Sequence, residues 1–317
     1  MDLNKIYQMF ILGTGNLDEA LKNGLGGVIF FSDDIDTEKH LREVENNIFK
    51  KASISPFISI DEEGGRVERT EHIHKKRLSA KYAFDKGKDF LTAQTIDIAE
   101  ELVDLKFNLN FAPVADVNTN PNNPIIGERA YSDKPQEVIK AVNLVSDIYK
   151  KYGIIPCIKH YPGHGDANSD SHKTLPDINL PMEEMLNNHI KPFKECIKYG
   201  VDMIMAAHLH CTCFDKEIIP TSLSQNALSY LRNELNYKGV IISDDMVMKG
   251  IQYPAGEACI KGIEAGLNIL LYRKADDISL SAIEDVIHYA EKHADFREKI
   301  EYSYKLITNL KIKYKIL

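Results

Sequence analysis

The densest run of chemically capable side chains lies between residues 159 and 172, KHYPGHGDANSDSH. It holds His160, His164 and His172 together with Asp166 and Asp170, and its glycines allow the loop to bend sharply. Imidazole titrates near neutrality, and a neighbouring carboxylate orients the ring and tunes its protonation, so this mixture suits acid/base catalysis. Asp170 stands two residues before His172, a separation that a turn closes easily. The same residue types also ligate metals, and a metal-dependent hydrolase using His160, His164, His172 and an aspartate is a second reading. Against it, the segment contains neither H-E-x-x-H nor an H-x-H pair within a strand. A third reading is a polar loop whose histidines only close turns.

Further candidates follow short apolar runs. Asp244 and Asp245 come directly after VIIS. An aspartate there is often a helix N-cap, yet a carboxylate facing an acid/base group is also what glycoside hydrolysis uses, as nucleophile or as base for water. Asp61, Arg69, Arg129 and Lys159 can hold hydroxyls or a carboxylate through charge-assisted hydrogen bonds. The plainer reading of these four is an ion-pair network of little energetic weight.

These residues need a scaffold that gathers them. Eight apolar runs read as strands, at 8–12 (QMFIL), 27–31 (GVIFF), 57–60 (FISI), 109–113 (LNFAP), 156–159 (PCIK), 203–206 (MIMA), 240–242 (VII) and 268–271 (NILL). Continuous apolar runs of this length suit strands buried on both faces of a parallel sheet. Amphipathic helical patterns intervene at 92–106, 134–152, 182–199 and 225–236, and one or two more lie within 275–313. Alternation of strand and helix predicts βαβ units, and eight strands predict an α/β fold of the (β/α)8 TIM-barrel type. An open doubly wound sheet has the same pattern. No linker or charge block divides the chain, so one domain over 1–317 is expected. The polar candidates then fall at the carboxyl ends of different strands, where barrels build active sites.

Composition narrows the classes further. Of 317 residues, 44% are hydrophobic and 27% charged, as in an ordinary folded protein. Lys and Arg number 39 against 47 Asp and Glu, a formal net charge of −8, which argues against nucleic acid as a partner. Cysteines 157, 196, 211, 213 and 259 show no C-x-x-C pair or dense disulfide spacing, so a reducing compartment is expected. Cys211 and Cys213, with one residue between them, are a weak metal or redox signature. The start, MDLNKIYQMFILGTG, lacks the basic head and long apolar stretch of a signal peptide. No apolar stretch approaches the ~20 residues of a membrane span. The expectation is a cytoplasmic protein with no membrane partner, its oligomeric state unspecified.

Five stretches, IDEEGGRVER (60–69), NFAPVADV (110–117), IGERAYS (126–132), IKHYPGHGDANSDSH (158–172) and GVIISDDMVMKG (239–250), give a resemblance. In these motifs and their order the chain resembles glycoside hydrolase family 3, and within it the single-domain β-N-acetylhexosaminidases. The resemblance covers most of the chain, and the KH-x-PGHG…DSH segment is specific for that branch. It implies Asp244 as nucleophile, His172 as acid/base and Asp170 as the partner that orients and tunes His172. Asp61, Arg69, Arg129, Lys159 and His160 correspond to the family's sugar-binding positions. It further implies a TIM barrel, no metal and no cofactor, and retention of configuration. The implied substrate is a small glycoside with terminal β-linked N-acetylglucosamine (GlcNAc), typically a muropeptide from peptidoglycan turnover.

The residues fit with one departure: most retaining glycosidases pair two carboxylates, and here a histidine replaces the acid. A neutral imidazole repels an anionic acceptor less than a carboxylate does, so phosphorolysis is a variant of the same chemistry. Rival activities for these residues are a β-glucosidase or β-xylosidase, the metal-dependent barrel hydrolase, and a sugar-binding barrel without catalysis. The chain has no Trp, which removes the usual large stacking platform for polysaccharide and favours a pocket for one terminal sugar. The loop AAHLHCTCFDKEIIPTSLS after MIMA carries His208 and His210 and is expected to border the aglycone side.

Overall fold

The computed structural model describes residues 2–168 and 175–317. Eight parallel strands close a barrel: β1 Phe10–Gly13, β2 Gly27–Phe30, β3 Phe57–Ile60, β4 Leu109–Asn110, β5 Ile155–Tyr161, β6 Met203–Ala206, β7 Val240–Asp245 and β8 Ile269–Tyr272. Each pairs with its neighbour in sequence, and β8 returns to β1 through Phe10↔Leu270 and Leu12↔Tyr272. The apolar positions of every strand are buried, because one face packs the barrel interior and the other the helices. The chain is therefore a TIM barrel, and all eight expected strands take part in it.

The helical shell includes α1 Glu38–Lys51, α2 Lys88–Asp104, α3 Pro135–Lys151, α4 Ile190–Lys198, α5 Gln225–Asn233, α6 Ala255–Ala265, α7 Asp277–Lys292 and α8 Ala294–Lys313. A π-type turn, Met185–His189, leads into α4. The C-terminal pattern resolves into two helices that meet at His293. At the start of α7, Asp276 Oδ1 accepts the Ser279 N–H and Ser279 Oγ accepts the Asp276 N–H, a reciprocal cap that fixes where the helix begins. Among the described residues no helix is long and apolar enough to cross a membrane.

Only β3 and β6 keep the bounds read from sequence; β1, β2 and β8 shift by one or two residues at an end, and the changes in β4, β5 and β7 bear on the site. β4 stops at Asn110 rather than 113; Cys157 N–H still donates to Ala112 O at 3.1 Å, Pro113 has no N–H to continue the ladder, and the chain bonds β5 again where Ala115 N–H donates to Lys159 O at 2.6 Å. β5 and β7 run longer than their apolar cores. Lys159, His160, Asp244 and Asp245 consequently lie inside strands and inherit the strands' rigidity. A small pair, Asp177–Ile178 with His210–Cys211, is too short to leave a pattern in the sequence.

Candidate active site

One cavity of about 390 Å³ opens at the carboxyl ends of the strands. Asp61, Arg69, Arg129, Lys159, His160 and Asp244 all line it, so the fold brings together six of the eight expected site residues. Asp170 and His172 lie outside the described residues.

On the β3–β5 side the organiser is Glu63. Its carboxylate accepts from Arg129 Nε at 2.9 Å and Nη2 at 2.8 Å, a two-point grip, and stands 2.7 Å from Lys159 Nζ. Burial alone would raise the Glu63 pKa, but Arg129 and Lys159 outweigh it and hold the carboxyl well below the usual range. Lys159, only 2% exposed, also donates to Asp61 Oδ1 at 2.5 Å. Burial opposes its charge, yet Asp61 and Glu63 keep its pKa above the ordinary lysine value. Arg69 Nη2 faces Asp61 Oδ2 at 3.7 Å. Asp61, Glu63, Arg129 and Lys159 thus hold one another in place at the cavity wall.

Asp116 performs the same service for the histidines. Its Oδ2 lies 2.7 Å from His160 Nδ1, and its Oδ1 accepts the backbone N–H groups of His160 at 3.2 Å and His164 at 2.7 Å. Burial pushes the Asp116 pKa up, but its interactions with His160 and His164 bring it below the ordinary value. With Nδ1 donating to this carboxylate, Nε2 of His160 is turned toward Arg129 Nη2, 3.4 Å away. The following turn is possible because Gly163 has φ +125°, and a Cβ on Gly165 would lie 1.7 Å from Val117 O. The peptide bonds Ala112–Pro113, Lys159–His160 and Tyr161–Pro162 are cis.

Across the cavity, β7 presents Asp244. Its Oδ1 accepts the Asp245 N–H at 2.8 Å. Burial raises its pKa, but His160, His208, that N–H and Lys159 together bring it below the ordinary aspartate value, so it is an anion at neutral pH. Asp245 behaves differently. Burial, with Asp244 beside it, pushes its pKa up to about 6, although its Oδ1 accepts the N–H groups of Val247 at 3.3 Å and Arg273 at 3.2 Å. The end of β7 is braced by His208, whose Nε2 meets the Asp245 carbonyl at 3.0 Å and whose Nδ1 meets Ser222 Oγ at 2.7 Å. A carbonyl can only accept, so Nε2 carries the proton and Ser222 donates to Nδ1. Burial lowers the His208 pKa, consistent with a neutral brace.

An anionic carboxylate thus faces a set of mutually bonded charged side chains across a pocket. Residues 4–308 match the Glycosyl hydrolase family 3 N terminal domain. The chain belongs to glycosyl hydrolase family 3. It is 33% identical over 264 residues to the Beta-hexosaminidase of Actinobacillus pleuropneumoniae serotype 5b (strain L20), covering 80% of this chain and 75% of that one. It is 32% identical over 272 residues to Beta-hexosaminidase A of Pseudoalteromonas piscicida, covering 78% of this chain but only 45% of that one. A glycoside hydrolase family 3 beta-N-acetylglucosaminidase from Paenibacillus sp. str. FPU-7 superposes with a TM-score of 0.91 and 28% identity, covering all of this chain and 63% of its own length. The chain therefore spans less than two thirds of some of the relatives it matches.

Several residues of this family 3 barrel that shape the site were not singled out by sequence. Glu63 and Asp116 stand beside Asp61 and after Pro113 in plain view, but nothing in a sequence separates a carboxylate that holds protein from one that holds substrate. Glu62 is a third. Its Oε2 accepts the N–H groups of Arg69 at 2.8 Å and Thr70 at 3.2 Å, fixing the turn that presents Arg69. Burial drives its pKa up to about 8, against those N–H groups. Below it, Arg77 ties this turn to α2 through Glu101 and through Asp97 at 3.1 Å. Among the described residues no three His, Cys, Asp or Glu side chains converge as a metal ion requires; the His160 and His164 rings stand 6.0 Å apart. All five cysteines are free thiols.

Proposed function

We propose that this chain is a retaining exo-β-N-acetylglucosaminidase that removes terminal β-linked GlcNAc from small glycosides, with peptidoglycan-derived muropeptides as its natural substrates. The observation that carries the reading is the buried, ionised Asp244 facing Asp61, Lys159, Arg129 and His160 across one cavity. At about 390 Å³ the cavity sits at the small end of ligand pockets (~300–1,000 Å³), a size for one sugar rather than a polymer. The named beta-hexosaminidase relatives support the same chemistry. Free thiols throughout fit action in the reducing cytoplasm.

In the first step an Asp244 oxygen attacks C1 while protonated His172 gives its proton to the departing glycosidic oxygen. The C1–O bond breaks and a glycosyl ester on Asp244 forms. In the second step neutral His172 takes a proton from water, the water oxygen attacks C1, and Asp244 leaves as carboxylate. Asp170 holds the His172 tautomer and favours its charged form. Lys159, Asp61 and Arg129 engage the hydroxyls, and their rigidity places C1 against Asp244.

The test compares nitrophenyl β-N-acetylglucosaminide with the β-glucoside, with and without EDTA, for wild type and Asp244→Asn. The expected result is preferred turnover of the acetamido sugar, indifference to chelator, and loss of turnover in the variant. Equal turnover by Asp244→Asn, preference for the glucoside, or chelator-sensitive activity would each contradict it.

A further inference from the structure

Five basic side chains line the cavity: Arg69, Arg129, Lys159, Lys249 and Arg273. Arg129 and Lys159 are buried and engaged by Glu63 and Asp61. Lys249 and Arg273 are exposed at the mouth, and among the described residues neither side chain has a hydrogen bond or ion pair. Arg69, between the two groups, has a buried Nε with no hydrogen-bond partner and reaches Asp61 only at 3.7 Å.

Arg273 is nevertheless held in place. Its Cζ lies 5.2 Å from the centroid of the Phe31 ring, and Arg69 Cζ lies 5.5 Å from the same centroid. An aromatic face positions a guanidinium without engaging its in-plane N–H donors, which stay free for a planar anion. The neighbouring acid acts on it through space but makes no hydrogen bond to its guanidinium, because Asp245 Oδ1 accepts the backbone N–H groups of Arg273 and Val247. In a chain with a formal net charge of −8, two cations at this mouth without a hydrogen-bonded partner among the described residues do not follow from composition. A neutral sugar needs donors, not charge.

We propose that Arg273 and Lys249, with Phe31 as platform, form a subsite for a carboxylate carried by the part of the substrate that projects from the cavity. This rests on the exo-glycosidase reading: with the terminal sugar inside, the aglycone passes the mouth where these cations stand. Inorganic phosphate presents the same oxyanion chemistry from a different source, and the test separates the two.

The experiment measures kcat/KM on the whole protein for two aryl β-N-acetylglucosaminides, one bearing a carboxylate on the ring and one the corresponding amide. The readout is the ratio of the two, compared between proteins, so intrinsic leaving-group differences cancel. At low salt the ratio in wild type exceeds that of Arg273→Gln/Lys249→Gln by about fivefold to tenfold, mostly through KM, and the excess shrinks as salt is added. Arg273→Lys, which keeps the charge, retains part of the preference. An unchanged ratio in the double variant overturns the subsite while amide turnover leaves the enzymatic reading standing. No turnover of either substrate by wild type overturns both. Phosphate that raises KM for the carboxylate substrate in wild type and not in the double variant supports the site. Phosphate consumed to sugar 1-phosphate at an Arg273-dependent rate overturns the assignment to substrate and gives the cations to the acceptor.

Discussion

Replacing Glu63 with Gln tests whether the proposed hydroxyl-binding set is preorganised by a buried anion. The side chain keeps its volume but loses its charge, and its amide N–H₂ must face a guanidinium or an ammonium. In place of Oε2 the amide nitrogen opposes Arg129 Nε at 2.9 Å; in place of Oε1 it opposes both Arg129 Nη2 at 2.8 Å and Lys159 Nζ at 2.7 Å, donor against donor. Asp61 still holds Lys159 at 2.5 Å, so the loss falls on Arg129 above all. Removing one partner of a buried ion pair costs about 3–5 kcal/mol, which a domain of ordinary stability (about 5–15 kcal/mol) survives. For a chain this long that is a Tm drop of roughly 5–8 °C. Arg129 moving by an ångström lowers kcat/KM by about 100-fold. The pH dependence supplies an internal check. The Glu63 pKa is depressed in the folded state, so its stabilisation is complete above the ordinary value of 4.5 and is lost as pH falls through the folded value. The Tm gap between wild type and Glu63→Gln is therefore widest near neutrality and narrows below pH 4.5. Calorimetry across pH, with kinetics on the aryl glycoside, measures both effects. A variant within 1 °C of wild type and with unaltered kcat/KM would refute the reasoning.

Other perturbations have equally definite outcomes. Asp116→Asn keeps an oxygen for the two backbone N–H groups but sets an amide donor against His160 Nδ1, driving the ring to the tautomer that confronts Arg129; kcat/KM should fall by about 10–100-fold, and wild-type kinetics would show the ring is not held this way. Glu45 on α1 is fully buried, both its oxygens lack partners, and burial raises its pKa to about 7 despite Lys106 and Arg42. Because the folded value lies above the unfolded one, wild-type stability falls as pH rises from about 4.5 to 7, so Glu45→Met should add about 3 kcal/mol at pH 8 and far less at pH 4.5. Denaturant titration at both values checks this, and a gain independent of pH would contradict it. Gly165→Ala would place its Cβ 1.7 Å from Val117 O and displace the turn, sharply lowering activity, whereas Gly153→Ala meets open space and pays only the strain of φ +77°, about 1 kcal/mol. Comparable activity in the two variants would show that the turn tolerates movement.

The barrel was legible because its strands are buried on both faces and therefore appear as unbroken apolar runs, from QMFIL to NILL. The candidate residues were legible because they follow those runs. What sequence could not supply was the division of labour among neighbours. In DEEGG, Asp61 faces the cavity and Lys159, Glu63 grips Arg129, and Glu62 turns away to hold the backbone of Arg69. Three adjacent carboxylates have three functions because the chain turns between them, and turns have no period. Arg273 and Phe31 come together only across the closure of the barrel, from β8 to β2, a proximity that no local pattern encodes. The ends of β5 and β7 were misjudged for the opposite reason: their last residues are polar, yet the ladder continues through them.

The central claim is that Asp244 forms a bond to C1 of the sugar. Incubation with a fluorinated N-acetylglucosaminyl donor that slows breakdown of the intermediate, followed by peptide mass spectrometry, tests it directly. The expected result is a one-sugar mass increase on the peptide containing Asp244, absent from Asp244→Asn and lost on prolonged incubation as the ester hydrolyses. A sugar attached to another side chain, or steady turnover of the donor with the Asp244 peptide never modified, would contradict it.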